Sequence, residues 1–559
     1  MPVIPSIQFD QIQGNIFGGF LKDHQMNLIL RFDPAKIAEA RAFLREVILP
    51  EVSASTSEEV LRFNAQFKEL KSRGVREGTI EATWTNVAFT RAGLELLGFD
   101  VAPLEAQAPA FYHGMAASAA NLGDTGVNAP EEWIDALKDG AVHAIVLVGA
   151  DSRADLAARV EGPGGYKALA QAAGIIVSEI GGETRMDDPG HEHFGFKDGV
   201  SQPAIAGVNT PDDPVSNPFQ GHPGQDMLMP GEFVVGYGRG MFKHQDAGEI
   251  EAGEHAPVEL PAWCSNGSFL VFRRLAQDVA GFNEFVARTA TALGTTPEHF
   301  GAMLVGRFKS GAPLEKRAFA PEPYFVPGND PGLTNRAVAD DDTLSNNFEF
   351  ADDRFGHIVP LASHIRKTYP RDQVRNANAD GLTDEEYEEA TDAAERDTQR
   401  HRLLRRGIPF GESFGLAATR GADGSEQTPG DKNAARGLLF FCYQTDLVRQ
   451  FEFVQQNWVQ NPDFPEPSAG RDPIIGQDPH PAAGSPMQGC PFHNATTQPA
   501  TKCPVNMDIK RFVKMTGGAY FFSPSIDALE EHLKESRSRA KASARRGPRV
   551  RPPAPRARG

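Results

Sequence analysis

The chain has 559 residues, a formal net charge of −18 and 40% hydrophobic residues. A chain of this length and composition can bury a large core, which excludes wholesale disorder, and no apolar run approaches the roughly 18 residues of a membrane-spanning helix. Four cysteines are too few for a disulfide scaffold of this size. The N-terminus has neither a basic start nor an apolar core, so we expect a cytoplasmic protein, with export left open.

Positive charge is concentrated at the C-terminal end of the chain. Residues 534–559 hold ten Lys or Arg against one acidic residue, among several prolines. This composition predicts a disordered basic tail that is either simply solvated or binds an anionic partner. The rest of the chain is strongly acidic and should repel nucleic acid, so we expect no nucleic-acid partner for the body.

Predicted helices and strands alternate along the chain. Helices with one apolar face are predicted over 34–48, 278–293 and 446–460, and Asp278 can cap the second of these, with Gly294 after its end. The predicted strands are apolar, β-branched or aromatic runs: 26–32, 144–150, 232–237, 268–273, 438–443 and 519–522. This alternation indicates an α+β fold in which helices cover sheets.

The strand–helix–strand pattern occurs in both halves of the chain. Residues 209–230 are dense in Pro, Gly, Asp and Asn and predict a linker. We therefore expect an N-terminal half over 1–208, a C-terminal half over 231–533 and the basic tail over 534–559. Two segments look like insertions, an acidic one over 376–399 and a Pro-rich one over 461–508 that we expect to lie over the surface.

Two motifs imitate metal sites. An Asn-rich run resembles the beginning of a calcium loop, but Tyr387 stands where a bidentate Glu is needed, which excludes that site. Cys490, His493 and Cys503 allow three interpretations: zinc ligands with His480 as the nearest fourth, a disulfide, or an ordinary loop. The ordinary loop is the favoured interpretation.

Three further segments bring together residue types with catalytic chemistry. They are HEHFGFKDG (191–199), HIVPLASHIRK (357–367) and RLLRRGIPFG (402–411). Taken singly, each has an unremarkable interpretation. Asp198 fits a turn, His364 a packed or surface histidine with His357 as its competitor for a ligand role, and Arg405 a structural salt bridge.

The order of these segments resembles that of the dye-decolourising peroxidases, in their longer, fungal-like branch. Three more segments agree: QGNIFGGF (13–20), VGRFKSGAP (305–313) and GGAYFFSPS (517–525). The resemblance implies duplicated ferredoxin-like domains of the dimeric α+β barrel type, with haem b between sheet and helices. It makes His364 the proximal iron ligand, Asp198 the distal carboxylate and Arg405 the distal arginine.

The resemblance also implies contacts around the cofactor. Haem propionates need cationic partners, for which Arg307 and Arg366 are the candidates. Ser201 and Gln202 follow the distal aspartate and are expected to contact the haem, and His193 is a weaker candidate for the edge of the pocket.

The implied activity is a peroxidase that uses hydrogen peroxide to oxidise dyes and phenolic or other aromatic reductants by one-electron steps. A carboxylate beside a fixed guanidinium can move a proton between peroxide oxygens while the cation stabilises developing charge. A carboxylate also stays ionised in acid where an imidazole is protonated, so we expect dye oxidation to be best in acid. The alternatives are a non-catalytic haem carrier or sensor, a haem iron-releasing or chlorite-decomposing enzyme of the same fold, and an interaction protein that uses the tail.

One position departs from some relatives. Phe410 stands where they have a tyrosine that can pass oxidising equivalents to the surface, and phenylalanine has no ionisable O–H. Tyr369, Tyr443, Trp458 and Tyr520 remain as candidate relays, and each is more simply explained as a core residue. Long-range oxidation of bulky dyes is therefore in doubt.

Overall fold

A computed structural model describes residues 6–74, 80–138, 140, 142–210, 220–240, 256–316, 339, 344–356, 358–375, 381–414, 434–467, 469–477 and 509–534. His357, the calcium-like run, Cys490, His493, Cys503 and nearly all of the basic tail lie outside these residues. The predictions made for them, and the predicted domain boundaries, stay predictions.

Eleven strands are present in the described residues. They are β1 His24–Arg31, β2 Thr83–Phe89, β3 Ala144–Ala150, β4 Ile176–Glu183, β5 Ala204–Ile205, β6 Met227–Leu228, β7 Ser268–Gln277, β8 Leu404–Arg405, β9 Ile408–Phe410, β10 Gly437–Gln444 and β11 Val513–Ser523. The parallel pair β5 and β6 forms a small sheet of its own, and the other strands form one antiparallel sheet.

Helices cover this sheet. The α-helices are Gly14–Phe17, Ile37–Phe43, Leu49–Ser53, Ser57–Ser72, Arg91–Leu96, Leu104–Gln107, Pro109–His113, Met115–Ser118, Arg153–Val160, Tyr166–Ala172, Val279–Leu293, Pro297–Val305, His364–Thr368, Asp384–Gln399 and Ile526–Leu533. Leu44–Ile48, Val448–Glu452 and Val454–Val459 are π-helical. In the part of the chain that the structure describes, no helix combines the length and the apolarity needed to cross a membrane.

The order of the strands shows a duplication. The sheet runs β4-β1-β3-β2-β11-β7-β10-β8, with β9 also paired to β10. When the strands of the first half are numbered in chain order, they therefore lie side by side in the order fourth, first, third, second. The second half repeats this order when β8 and β9 together count as its second strand. Each half thus has the ferredoxin-like arrangement that the resemblance implies.

The two outer edges of the sheet approach each other. A Cβ placed on Gly182 of β4 would lie 2.6 Å from Ile408 Cγ2 of β9, so glycine is needed for this close approach. The sheet therefore curves into a barrel whose seam lies between the end of the first half and the β8–β9 region. This seam brings the segment after β4 beside Arg405.

Side-chain alternation along the strands divides the core into two layers. Leu28 and Val146 pack on the helix side, whereas the neighbouring Ile29 and Leu147 pack inside the barrel. A period of two is expected where both faces of a strand are buried. The two apolar layers hold the sheet rigid on either side.

Most of the predicted strands are confirmed, but the one over 232–237 is wrong. That run contains the end of a 3-10 helix, Pro230–Glu232, followed by irregular backbone in which Gly236 has a φ of +99°. Its apolar side chains fill the barrel, with Phe233 fully buried. Burial rather than strand pairing explains the run. The sequence analysis also missed β2 and β4.

The helix predictions are largely correct. Asp278 accepts a hydrogen bond from the Gly281 N–H, and Gly294 ends the helix with a left-handed φ of +69°. In the acidic insertion, Thr383 and Glu386 form a reciprocal capping box at the start of Asp384–Gln399. The expectation that 461–508 lies over the surface is wrong for its described part, because Asp472 is fully buried.

A buried ion pair joins the two halves. Arg273 of β7 donates to both carboxylate oxygens of Asp124, at 2.6 and 2.8 Å, and both side chains are almost completely buried. Burial in a low-dielectric interior makes each charge dependent on the other.

We predict that Asp124→Ala lowers the free energy of unfolding by about 3–5 kcal/mol, because it leaves the Arg273 charge buried without its partner. Urea denaturation followed by circular dichroism measures the loss. Glu95→Ala is the control, since the Arg91–Glu95 pair lies on one exposed helix face and should contribute about 0.5 kcal/mol or less. Equal losses for the two variants would contradict the prediction.

Candidate active site

A cavity lies between the strands of the second half and the helices that cover them. Residues of β7 and β10 line one side, and residues of His364–Thr368 and the adjoining π-helical segments line another. Apolar side chains, for example Leu438, Phe440 and Phe451, provide most of the lining surface, and eight Asp, Glu, Lys or Arg residues lie among them. A mostly apolar cavity with a few convergent polar groups is the usual form of a cofactor site.

Asp198 and Arg405 meet in the lining of this cavity. Arg405 Nη1 donates to Asp198 Oδ1 at 3.1 Å, and its Nη2 donates to the Ser201 carbonyl at 3.0 Å. Asp198 Oδ1 also accepts from the Gly199 N–H at 2.6 Å. Each of the two side chains remains about one-third exposed. The pair is therefore open to a small molecule as well as bonded internally.

Glu192, which the sequence analysis did not single out, shapes the loop that carries Asp198. Its carboxylate accepts hydrogen bonds from the N–H groups of Phe194 and Phe196, at 2.8 and 2.9 Å, and from the Gln277 amide. Burial raises its pKa above the ordinary range of a glutamate. The Glu192 carboxylate thus holds the backbone of this loop in place. The Asp198 N–H, in turn, donates to the Gly190 carbonyl.

His364 begins a short helix at another part of the lining. Its Nδ1 lies 2.8 Å from Oδ2 of Asp472, a carboxylate with no exposed surface. Oδ1 of Asp472 accepts from the N–H groups of Ile474 and Ile475, so the carboxylate is held in place. An acceptor at Nδ1 requires the proton there and leaves the lone pair of Nε2 available. This is the usual arrangement behind a metal-binding imidazole.

Positive charge is buried in the same lining. Arg307 donates to the carbonyls of Gly311 and Ser345 and to Asn346 Oδ1, but no carboxylate lies within ion-pair distance of it among the described residues. Burial, and then the charges of Arg371 and Arg405, lower the pKa of Arg307 to about 9. A cation in this position is stabilised by an anionic ligand.

These features fit the cofactor that the resemblance implies. The lining offers an available imidazole nitrogen, apolar walls and a buried cation without a carboxylate partner. Ser201 also lines it, and its Oγ is buried without a hydrogen-bond partner among the residues that the structure describes. An unsatisfied buried hydroxyl is costly and is satisfied when a polar group of a ligand reaches it.

Two of the predicted cofactor contacts lie elsewhere. Arg366 does not line the cavity, because its guanidinium pairs with Asp353 at 2.9 Å and also donates to Gln373 and the Val359 carbonyl. Gln202 is also outside the lining, and its amide is bonded to the backbone of Arg405. Because of these interactions, neither Arg366 nor Gln202 can contact a ligand in the cavity directly.

His191 and His193, the two histidines of the segment 191–199, do not form a metal site in the described residues. His191 bonds to the Lys309 carbonyl and Asp188, whereas His193 donates from Nε2 to the Phe410 carbonyl at 2.9 Å. Burial lowers the pKa of His193 to about 4, and this residue does not line the cavity. Among the residues that the structure describes, no cluster of three or more His, Cys, Asp or Glu could hold a metal ion.

The candidate relays are all buried or half-buried inside the protein. Tyr369 lines the cavity and donates from its hydroxyl to Asp226 at 3.1 Å, with its ring 3.7 Å from the Arg402 guanidinium carbon. Tyr443, Trp458 and Tyr520 are each 2% exposed or less and do not line the cavity. Burial raises the pKa of Tyr443 to about 12.

Sequence comparisons support the family resemblance. The family profile described as the DyP dimeric alpha+beta barrel domain matches residues 11–164, and the profile described as Dyp-type peroxidase, C-terminal, matches residues 244–466. Peroxidase 2 of Mycetinis scorodonius is 30% identical, with 94% of this chain and 88% of the relative covered. The multifunctional dye peroxidase DyP2 of Amycolatopsis is 28% identical, with 93% and 95% covered.

A solved structure agrees as well. A variant of the dye-decolorizing peroxidase from Pleurotus ostreatus superposes with a TM-score of 0.67 at 26% identity, and the match covers 95% of this chain and all of that structure. The C-terminal profile includes His364 and Arg405, Asp198 lies between the two profiles, and the whole-chain matches cover 93–95% of the chain. On these matches and on its duplicated fold, the chain belongs to the dye-decolourising peroxidase family of haem-dependent oxidoreductases.

Proposed function

We propose that this chain is a haem b peroxidase in which His364 binds the iron and Asp198 and Arg405 act on hydrogen peroxide. The observation that supports this assignment most strongly is the convergence on one cavity. The Asp198–Arg405 pair, bonded at 3.1 Å, and an imidazole held by a buried carboxylate line the same space. Relatives named dye peroxidases support dyes as the reductants.

The residues that hold the cofactor follow from the chemistry of the lining. His364 Nε2 would bind the iron, and Asp472 at Nδ1 would keep the ring in the required tautomer and raise its basicity. Arg307, with Arg371 beside it, supplies the positive charge for a propionate, and Ser201 Oγ supplies a polar contact. Haem held there would supply an iron that can exchange single electrons with peroxide and with reductants.

Asp198 moves the proton. Peroxide must lose a proton from one oxygen and gain one on the other before the O–O bond breaks. The Asp198 carboxylate can accept the first proton and return it to the departing oxygen, directly or through water. Its partial exposure leaves room for both peroxide and water at the carboxylate.

Arg405 stabilises charge. A guanidinium does not deprotonate in practice, so it remains a fixed cationic donor while negative charge develops on the departing oxygen. Its two bonds, to Asp198 and to the Ser201 carbonyl, orient it before peroxide arrives. Preorganised donors of this kind need no reorientation during the reaction.

Small aromatic reductants fit this site best. Phe410 is buried beneath the Arg274 guanidinium, 4.1 Å from its ring, and cannot serve as a relay. Of the four candidate relays, only Tyr369 lines the cavity, and it has no proposed path to the surface. We therefore expect phenols that reach the cavity itself to be better reductants than bulky dyes held outside.

The alternatives of a haem carrier, an iron-releasing enzyme or a chlorite-decomposing enzyme are less well supported. A carrier needs neither a charged pair nor space at that pair, and the Asp198–Arg405 pair favours peroxide cleavage over iron release. A cytoplasmic location and an anionic partner for the basic tail stay predictions.

We predict that Asp198→Asn slows the reaction of the ferric holoenzyme with peroxide by about 10²–10⁴-fold at every pH, because the amide keeps the shape but cannot accept the proton. Stopped-flow absorbance of the haem measures the rate. Asp188→Asn is the matched control, since Asp188 pairs with His191 outside the cavity. A wild-type rate for Asp198→Asn across the acid range would exclude Asp198 as the proton acceptor.

We predict different outcomes for the two adjacent arginines. Arg405→Leu should slow the peroxide reaction by about 10²–10³-fold, because it removes the charged donor. Arg406→Leu should keep most of the rate per bound haem, because Arg406 does not line the cavity and its guanidinium donates only to backbone carbonyls, those of Asn15, Ile16, Phe17 and Arg405. It should instead lower the urea midpoint. The reverse pattern of rates would shift the catalytic role to Arg406.

We predict that Asp472→Asn raises the reduction potential of the ferric/ferrous couple. The carboxylate makes the axial imidazole more basic, which stabilises the ferric state, and an amide does so less. A spectroelectrochemical titration measures the potential, and cofactor affinity or activity should fall by about 10–100-fold. Asp463→Asn is the control, because that residue lies in the same segment outside the cavity. An unchanged reduction potential in Asp472→Asn would mean that Asp472 does not influence the histidine that binds the iron.

A further inference from the structure

Arg405 lies in a strand of only two residues at the edge of the sheet. β8 pairs with β10 and comes last in the strand order. The Arg406 N–H donates to the Phe441 carbonyl of β10 at 2.8 Å. Because backbone groups alternate along a strand, the N–H and C=O of Arg405 point to the opposite, outer edge. No neighbouring strand fixes the backbone of Arg405 on that side in the described sheet, although Arg406 Nη1 donates to the Arg405 carbonyl at 2.8 Å.

The side-chain amide of Gln202 occupies that outer edge. Its Oε1 accepts from the Arg405 N–H at 3.3 Å, and its Nε2 donates to the Arg405 carbonyl at 3.1 Å. One residue is thereby held by two hydrogen bonds, as it would be in an antiparallel pair. Gln202 is held in turn, because Gln225 Nε2 donates to its carbonyl at 2.9 Å.

The segment that holds the backbone of Arg405 also holds its guanidinium. Asp198 Oδ1 and the Ser201 carbonyl accept from the guanidinium at 3.1 and 3.0 Å. Both ends of the arginine are therefore bonded to three residues, Asp198, Ser201 and Gln202, of one five-residue segment. A change in the backbone position of Arg405 moves its guanidinium relative to Asp198.

We propose that Gln202 is a positioning residue for peroxide cleavage. It acts through Arg405, whose backbone it fixes so that the guanidinium points at the distal space, and it does not touch the cofactor. This inference rests on the role given to Arg405 under the proposed function. Preorganisation of this kind matters because a donor that must first reorient stabilises developing charge less effectively.

The chain contains a matched control for this interaction. Gln13 Oε1 accepts from the Val87 N–H and its Nε2 donates to the Val87 carbonyl, both at 2.8 Å. Val87 belongs to β2 and does not line the cavity. Gln→Met at either position keeps the length of the side chain and removes the amide, so both variants lose the paired bonds to one strand residue, and Gln13→Met also loses a bond to the Pro524 carbonyl.

The test measures fluoride binding to the ferric holoenzyme by absorbance. Fluoride binds ferric haem and accepts hydrogen bonds from distal donors, so its affinity reports the Arg405 guanidinium without turnover. We expect Arg405→Leu to weaken binding by about 10–100-fold, the value of a charge-assisted hydrogen bond, and Gln202→Met by about 3–10-fold. Gln13→Met should lower the urea midpoint and leave fluoride affinity at the wild-type value.

The double variant distinguishes the mechanisms. If Gln202 acts through Arg405, Gln202→Met causes no further loss of fluoride affinity in the Arg405→Leu background. A further loss of the same size in that background would mean that Gln202 acts independently, and wild-type affinity in Gln202→Met alone would also overturn the proposal. If Arg405→Leu binds fluoride as tightly as the wild type does, the proposed role of Arg405 is wrong. That result is distinguishable from a failure of the Gln202 proposal alone.

A milder variant covers the case in which Gln202→Met does not fold. Gln225→Met removes the bond to the Gln202 carbonyl and leaves the Gln202 amide itself intact. We expect a smaller loss of fluoride affinity in the same direction. An unchanged affinity in folded Gln225→Met holoenzyme, with Gln202→Met unable to fold, would overturn the proposal.

Discussion

Burial of positive charge in an apolar cavity is the constraint on which the rest of the site depends. Arg307 is almost completely buried without a carboxylate partner among the described residues, and the nearby charges of Arg371 and Arg405 oppose its ionisation further. Such an arrangement is costly unless an anion enters. An apolar ligand with carboxylates at one edge satisfies both the walls and the cations, which explains why the lining combines the two.

The duplicated fold explains how residues distant in sequence reach this cavity. The sheet of the second half has one face over the cavity, and the barrel seam joins β4 of the first half to β9 of the second. The chain leaves β4 into the loop that carries Asp198, and Arg405 lies in β8 beside that seam. The distal pair is therefore formed across the boundary between the two halves. Neither half contains the site alone.

Sequence reasoning identified what local patterns encode. Asp278 and Gly294 define a helix by their own capping preferences, and Asp198, His364 and Arg405 lie in compact motifs. Asp472 was missed because it lies 108 residues after His364 in a Pro-rich segment, where composition predicts exposed loop rather than burial. Its only local signal is the pair of isoleucines that follows, which marks that the segment is partly buried.

The errors have a similar physical origin. Arg366 was a candidate for a propionate because it is cationic, but its guanidinium pairs with Asp353. Residues 232–237 were assigned to a strand from their apolarity, which reflects burial in the barrel. An apolar run indicates that a segment is buried, and closeness in sequence indicates that two residues lie in the same helix or strand. Neither kind of pattern indicates which side chains contact each other across the fold.

The visible absorption spectrum of His364→Ala tests the central claim most directly, which is that His364 supplies the axial nitrogen of a bound haem. The account predicts that the variant loses the wild-type Soret band or binds haem weakly, and that added imidazole restores much of the band by filling the space left by the side chain. His357→Ala, measured alongside, should keep the wild-type spectrum. A wild-type Soret band with full peroxidase activity in His364→Ala would contradict the account.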